Sequence, residues 1–342
     1  MTEITHMTAW ERFDDWINKA LEMSATDIHI VPGYHPKVRV RGELRDLDDL
    51  LITPAQTSWI RTSLFQQGYY APPSSGALQR SLPVGERKLA DVTCASAGGE
   101  FSVAIRLHAG EVPGLDEAGY PPTIKKLLEA PNGLVLIAGP HGSGKTTTLY
   151  AATNWINQQR AVHICTAEKP RHYLFPRGKA IVQQREVGLD GASHTELVHT
   201  AMQQDCDVVM VGEIESFDTL AAVLHTAETG HLVLVQVHAD SVEDAVQRLL
   251  EAAPPGMEEM NRRRLHATLR GVVMQRLITK KDGRTRVAVC EVIGEGARKF
   301  IDAGKPDAGF YLTRAHDEIA KLLDKGEVTP EAADRLRREF GA

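Results

Sequence analysis

The chain has 342 residues and a formal net charge of −6, with 42% hydrophobic and 25% charged residues. This length exceeds the usual size of one domain and the composition is ordinary for a globular protein, so two folded domains are expected rather than disorder. The acidic balance argues against a nucleic-acid-binding protein. The acid-containing N-terminus does not resemble a secretory signal, and no apolar run reaches the ~20 residues of a membrane-spanning helix.

The cysteines and histidines show no metal-binding or redox spacing. His194 and His199 are five residues apart and do not share a helix face well, so no protein-ligated zinc is expected. The four cysteines are interpreted as reduced cytosolic thiols: Cys94, Cys165, Cys206 and Cys290.

The first part of the chain predicts a small α+β domain. An amphipathic helix is expected over Trp10–Met23, and the turn-rich stretch at 69–88 predicts a loop or hairpin. The segments DIHIVP and KVRVRGEL alternate apolar and polar residues, which is typical of half-buried strands. Their apolar positions are Ile28, Ile30, Val38 and Val40.

A linker is predicted at 107–122, where three glycines and three prolines interrupt any regular element. Four apolar runs then alternate with helical segments: GLVLIAG, VHICTAE, DVVMVGE and HLVLVQVHA. Such runs predict parallel strands covered on both faces, hence an α/β domain.

Two C-terminal helices are expected, broken at Gly326 and with Thr329 as the cap of the second. The predicted domains are residues 1–110 and 111–342.

The strongest motif is GPHGSGKT, which matches G-x-x-x-x-G-K-[ST] between a predicted strand and helix. Its backbone N–H groups are expected to bind the phosphates of ATP, with Lys145 on the β and γ oxygens and Thr146 on Mg²⁺. The alternative is a glycine-rich turn that binds nothing. The predicted nucleotide-binding residues are Gly139, Pro140, His141, Gly142, Ser143, Gly144, Lys145, Thr146 and Thr147.

A carboxylate follows the apolar strand DVVMV at Glu213. Parallel α/β sheets bind ligands at the carboxyl edge of the strands, so Glu213 is a candidate for handling Mg²⁺ through water or for preparing the attacking water. A surface glutamate at the end of a strand is the alternative interpretation.

Six segments together resemble the type IV pilus retraction ATPases of the secretion ATPase superfamily: SATDIHI, GPHGSGKTTTLYA, QREVG, VMVGEI, AETGHLVLVQVHA and VVMQRLI. The resemblance implies a hexameric ring whose subunits have a PAS-like N-terminal domain and a RecA-like ATPase domain. It implies a cytoplasmic location at the inner face of the inner membrane. The expected partners are an inner-membrane pilus platform protein and a paralogous retraction ATPase.

The same resemblance implies roles for individual residues. Glu213 prepares the attacking water, Glu168 belongs to an acidic box, and Arg106 reaches from the N-terminal domain towards nucleotide. His231 and His238 match a histidine box that links nucleotide state to the domain interface. Without the resemblance, both histidines are plain strand-flanking residues.

Five positions depart from the family pattern. Lys169 and His172 stand where the acidic box has acids, whereas Gln203, Glu215 and Asp91 stand where arginines are usual. Arginines stabilise charge on the transferred phosphoryl group, so a slower or partner-dependent ATPase is expected.

Three alternatives to a retraction motor stay open. The departures favour an accessory ring subunit that binds ATP beside an active paralogue. Pilus-extension and type II secretion ATPases generally have a longer N-terminal region and often a four-cysteine zinc element, which this sequence lacks. A RecA-like DNA motor fits the fold but not the acidic charge.

Overall fold

The computed structural model describes residues 6–40, 42–65, 77–84, 88–107, 111–303 and 310–341. Its internal contacts divide the chain into two compact units. Unit 1 contains Met1–Glu111, Lys169–Phe175 and Glu186–Ala192. Unit 2 contains Val112–Glu168, Pro176–Arg185 and Ser193–Ala342. Two short segments from the later part of the sequence therefore pack with unit 1, which the sequence pattern did not indicate. Residues 108–110 of the predicted linker lie outside the described residues.

Unit 1 is an antiparallel sheet with two helices. Its elements are α1 (His6–Glu22), β1 (Asp27–Ile30), β2 (Lys37–Val40), β3 (Glu43–Asp46), α2 (Pro54–Phe65), β4 (Leu78–Val84), β5 (Lys88–Ala97) and β6 (Glu100–Leu107). The strand order is β3-β2-β1-β6-β5-β4. The predicted turn-rich stretch includes β4 and the start of β5, which pair antiparallel; the connection at 85–87 lies outside the described residues.

The core of unit 1 follows from the alternation seen in the sequence. Ile28 and Ile30 of β1 and Val38 and Val40 of β2 are buried, while the residues between them are partly exposed. Because successive side chains of a strand point to opposite faces, one face of this sheet is apolar. These strands are confirmed. Helix α1 adds apolar side chains at a spacing of three and four residues: Phe13, Trp16, Ile17 and Ala20.

Unit 2 is built on an eight-stranded sheet. Its first elements are α3 (Thr123–Leu128), β7 (Gly133–Gly139), α4 (Lys145–Gln159), β8 (His163–Ala167), β9 (Ile181–Gln183), α5 (His194–Met202), β10 (Val208–Val211), α6 (Phe217–Glu228) and β11 (Leu232–His238). Then follow α7 (Val242–Glu251), α8 (Glu258–Thr268), β12 (Leu269–Thr279), β13 (Arg286–Ile293), α9 (Arg298–Ala303), β14 (Tyr311–Thr313), α10 (Ala315–Asp324) and α11 (Pro330–Glu339).

The sheet order is β14-β13-β12-β7-β11-β10-β8-β9. Neighbours from β12 to β9 are parallel, and β13 and β14 add an antiparallel edge. Every residue of β7 and β10 is buried, as expected for strands with both faces covered. The predicted mostly parallel α/β sheet is confirmed.

The C-terminal helices are also confirmed. Helix α10 ends before Gly326, which has a φ of +68°. The Thr329 side chain accepts a hydrogen bond from the Ala332 N–H, and Pro330 occupies the first turn of α11. The four cysteines are buried and form no disulfide bond. Among the described residues, no helix combines the length and apolar character that crossing a membrane requires.

Candidate nucleotide-binding site

The glycine-rich loop connects the buried strand β7 to helix α4. Gly142 and Gly144 have φ values of +74° and +85°, a conformation that residues with a Cβ atom rarely adopt. Gly144 is the N-cap of α4 and supplies no side-chain cap. The first N–H groups of a helix have no acceptor within it, so this end of α4 is suited to bind an anion.

Lys145 is half-buried at the start of α4, and its Nζ donates to the carbonyl oxygen of Pro140 at 2.8 Å. Burial lowers the pKa of Lys145, while the negative charge of Glu213 acts in the opposite direction and raises it. Glu213 therefore lies within electrostatic reach of the loop lysine. The two strongest sequence-predicted site residues therefore interact electrostatically.

Four predicted site positions lie at the carboxyl edge of neighbouring parallel strands. Gly139 at the end of β7 pairs with His238 at the end of β11. Glu213 follows β10, and Glu168 follows β8, whose last residue is in register with the last residue of β10. Because parallel strands end at the same edge, the phosphate loop, His238, Glu213 and Glu168 follow one another across the sheet.

The two carboxylates at this edge have different environments. Glu168 is 1% exposed, and its Oε1 accepts hydrogen bonds from Thr166 Oγ1 at 2.5 Å and Gln184 Nε2 at 3.2 Å. Glu213 is exposed. A carboxylate must reach water to orient or deprotonate it, so Glu213 suits that role better than Glu168.

The structure does not place His231 at this edge. His231 precedes β11, and its carbonyl oxygen accepts from the N–H of Gly133, the first residue of β7. Its ring Nδ1 lies 3.1 Å from the carbonyl oxygen of Thr226. The seven residues of β11 separate it from the loop end by about 20 Å. His231 and His238 therefore occupy opposite ends of one strand, and the role implied for His231 stays a prediction.

Arg106 belongs to unit 1 and lies on β6. Its side chain is 72% exposed, and its Nε donates to Asp27 Oδ1 at 3.2 Å. Its implied reach towards nucleotide stays a prediction.

The residues that depart from the family pattern lie in both units. In unit 1, His172 Nδ1 lies 3.9 Å from Asp91 Oδ2. Two residues that differ from the family pattern are therefore neighbours. In unit 2, Gln203 is the C-cap of α5, and Glu215 Oε2 lies 3.3 Å from the ring of His194.

Two glutamines contact the phosphate loop, and neither was predicted as a site residue. Thr146 Oγ1 donates to Gln236 Oε1 at 3.1 Å, and Gln275 Nε2 donates to the Ser143 carbonyl oxygen at 2.6 Å. Each glutamine interrupts an apolar strand, β11 or β12. A polar side chain in such a strand must find a hydrogen-bond partner, and that signal was present in the sequence.

The loop fits a nucleotide and the Mg²⁺ ion that accompanies it. A Cβ atom added to Gly139 would collide with the Ser143 hydroxyl and the Gln275 carbonyl, so the loop needs glycine there. The Thr146 hydroxyl and the Glu213 carboxylate are oxygen donors, which Mg²⁺ prefers.

Comparison with known proteins agrees with this geometry. The family model described as "Type II/IV secretion system protein" matches residues 8–323. The chain is 31% identical over 275 residues to the uncharacterized protein YggR of Escherichia coli K12, a match that covers 80% of this chain and 83% of that protein. It is 30% identical over 278 residues to the type IV pilus retractation ATPase PilT of Pseudomonas aeruginosa PAO1, with 80% and 79% covered.

A solved structure is similar over nearly the whole chain. The crystal structure of the pilus retraction motor PilT with bound ADP has a TM-score of 0.80 and 30% identity, and the match covers 94% of this chain and 95% of that one. The predicted fold class, a RecA-like ATPase domain preceded by a smaller α+β domain, is confirmed.

Proposed function

This chain belongs to the Type II/IV secretion system protein family, and we propose that it is an ATP-hydrolysing motor subunit of a type IV pilus machine. It is similar to the pilus retraction ATPases, one of which is 30% identical over 278 residues. The observation that carries the proposal is the complete phosphate loop at one sheet edge, with the exposed Glu213 within electrostatic reach of Lys145. The relatives that match it include a pilus retraction ATPase and a retraction motor with bound ADP.

Different residues of the chain bind the phosphates, hold the metal ion and activate the attacking water. Backbone N–H groups at the start of α4 and the Lys145 ammonium bind the β and γ phosphates. The Thr146 hydroxyl would hold Mg²⁺, and Glu213 would contact the ion through water. Mg²⁺ bound there would neutralise charge on the phosphate oxygens. Glu213 orients the attacking water and accepts its proton, and His238 lies at the same edge.

The assembly and location belong to the same proposal. The chain forms a homohexamer at the cytoplasmic face of the inner membrane, where it works on an inner-membrane pilus platform protein beside a paralogous retraction ATPase. Residues 1–110 form the N-terminal domain and residues 111–342 the ATPase domain, apart from Lys169–Phe175 and Glu186–Ala192, which pack with unit 1. The names of two relatives, a twitching motility protein and a type IV pilus retractation ATPase, support the link to a pilus machine.

A second candidate function is an accessory ring subunit that binds ATP but hydrolyses it slowly. The observation in its favour is the contact between His172 and Asp91, two positions where the family has an acid and an arginine. Loss of an arginine from a catalytic site lowers the rate of phosphoryl transfer by orders of magnitude, but nucleotide binding can persist. Pilus extension and type II secretion ATPases are the related alternative, because one such secretion protein is 32% identical over 314 residues.

Steady-state ATP hydrolysis by the purified chain tests the proposal. Lys145→Ala removes the cation that contacts the phosphates, so tight ATP binding is expected to disappear. Glu213→Gln keeps the phosphate contacts but cannot accept a proton, so binding is expected to persist without turnover. Glu251→Gln is the matched control, since Glu251 is an exposed glutamate at the C-terminal end of α7.

The outcomes separate the candidates. Turnover in the wild type that Lys145→Ala and Glu213→Gln abolish supports the motor. ATP binding with negligible turnover in the wild type supports the accessory subunit. Hydrolysis by Glu213→Gln at the wild-type rate contradicts the catalytic assignment of Glu213.

A further inference from the structure

Gln275 lies beneath the phosphate loop. It is fully buried in β12, the parallel neighbour of β7. Both ends of its side-chain amide contact the loop and its helix. The Nε2 atom donates to the Ser143 carbonyl oxygen at 2.6 Å, and Oε1 accepts a hydrogen bond from Thr148 Oγ1.

The loop packs closely against both the side chain and the backbone of Gln275. A Cβ atom at Gly144 would lie 2.9 Å from Gln275 Nε2, and one at Gly139 would collide with the Gln275 backbone carbonyl. Gly139 is therefore required by contact with the backbone of a residue 136 positions later in the sequence, and Gly144 lies against the side-chain amide of the same residue. Strand β12 and the phosphate loop are therefore in direct contact.

The geometry of one peptide group connects Gln275 to phosphate binding. The peptide between Ser143 and Gly144 is planar and trans, so its C=O and N–H point in opposite directions. The carbonyl is held against the Gln275 amide beneath the loop. The N–H of Gly144 is consequently directed away from the core, towards the side where a phosphate oxygen binds.

We propose that Gln275 is a positioning residue, whose amide holds the Ser143–Gly144 peptide in the orientation that binds a nucleotide phosphate. This inference rests on the proposed function as a nucleotide-binding ATPase. Gln275 is fully buried, so it acts through the backbone of Ser143 and through Thr148. A buried amide in an apolar strand is destabilising unless its hydrogen bonds are made, and both of the named bonds go to this loop and helix.

The first test replaces Gln275 with methionine in the full chain and measures ADP binding by calorimetry. Methionine has a similar volume but forms neither hydrogen bond, so the peptide is free to rotate. The ADP Kd is expected to rise about tenfold, on the order of one lost hydrogen bond. The melting temperature without nucleotide is measured in parallel, because a purely structural role lowers it while leaving the Kd of the folded protein unchanged.

Two buried threonines of α4 give a matched pair of variants. Thr148 and Thr153 are both fully buried, and each hydroxyl lies within hydrogen-bond distance of a carbonyl four residues earlier in the chain. Thr148 Oγ1 also contacts Gln275 Oε1 and lies 2.8 Å from the Tyr120 hydroxyl. Thr148→Val is expected to weaken ADP binding severalfold. Thr153→Val is expected to leave the ADP Kd unchanged. Equal effects of the two substitutions overturn the inference.

A pH series on Gln275→Glu provides a readout that packing alone does not predict. An ionised carboxylate cannot donate to the Ser143 carbonyl, whereas a protonated carboxyl group can. ADP affinity of this variant relative to wild type is therefore expected to recover as the pH falls. The proposed role of Gln275 is overturned if the ratio of the ADP Kd of Gln275→Glu to that of the wild type is independent of pH and the ADP Kd of Gln275→Met is unchanged.

Failure of the proposed function gives a different result. In that case wild type and Lys145→Ala bind ADP equally poorly, and Gln275 loses its proposed role along with the site. Binding by the wild type that Lys145→Ala abolishes, combined with full affinity in Gln275→Met, refutes the positioning role alone.

Discussion

Replacing Glu186 with alanine is expected to destabilise unit 1 by about 3 kcal/mol. Glu186 is 2% exposed. Its carboxylate accepts hydrogen bonds from the Ser81 N–H at 2.8 Å, from Arg171 Nε at 3.0 Å and from the Ser81 hydroxyl. Arg171 is only 17% exposed, so alanine leaves a largely buried cation without its counter-charge and the Ser81 N–H without its acceptor, although Arg171 Nε retains the Ser81 hydroxyl at 3.3 Å. Removing one partner of a buried ion pair costs about 3–5 kcal/mol, and the lower value applies because Arg171 retains some contact with water.

Urea unfolding monitored by tryptophan fluorescence measures this effect. Trp16 and Trp59, two of the four tryptophans, belong to helices of unit 1, so the signal reports on that unit. The Glu186→Gln variant retains an oxygen acceptor for Ser81 but places a neutral amide against the guanidinium group. Its expected loss is about 2 kcal/mol, in the range of hydrogen bonds to charged groups.

The control is Glu43→Ala in the same unit. Glu43 forms an ion pair with Arg45 in which both side chains are more than half exposed, so its loss is expected to change stability by less than about 1 kcal/mol. If Glu186→Ala loses no more stability than Glu43→Ala, the carboxylate is not the buried anchor that these distances indicate.

Three further predictions concern charge, pH and assembly. His172→Glu places a carboxylate beside Asp91 and is expected to lower the melting temperature, whereas adding Asp91→Arg restores an opposite-charge pair and recovers it; no recovery would show that the contact is incidental. Burial, followed by the charge of Glu243, raises the pKa of Glu291 from 4.5 to about 7. The folded state then binds more protons than the unfolded state between those values, so stability falls as pH rises from about 4.5 to about 7. Glu291→Gln is expected to flatten this part of the denaturation profile, and an unaltered slope would assign the decline to other groups. Light scattering with a non-hydrolysable ATP analogue is expected to show a hexamer, and a nucleotide-bound monomer would favour a mixed ring instead.

The phosphate loop, the buried parallel strands and the capped C-terminal helices were predictable from the sequence because each depends on neighbouring residues. A loop motif between an apolar run and a helix specifies a local conformation, and the carboxyl end of each strand is where ligands bind in such sheets. Glu213 could be placed at that edge from DVVMVGE alone. The opposite positions of His231 and His238 also follow from the length of β11, although the family pattern groups them together.

Only the tertiary structure decided which distant residues meet. Gln275 contacts Ser143 across 132 residues, and Glu186 contacts Ser81 across 105. The first contact exists because β12 lies beside β7 in the sheet, and the second because residues 186–192 pack with unit 1. Strand order and the packing of distant segments depend on the free energy of the whole chain. The periodicity of apolar residues describes one segment at a time and therefore does not predict them. The same reason places His172 against Asp91, a contact that neither local sequence indicates.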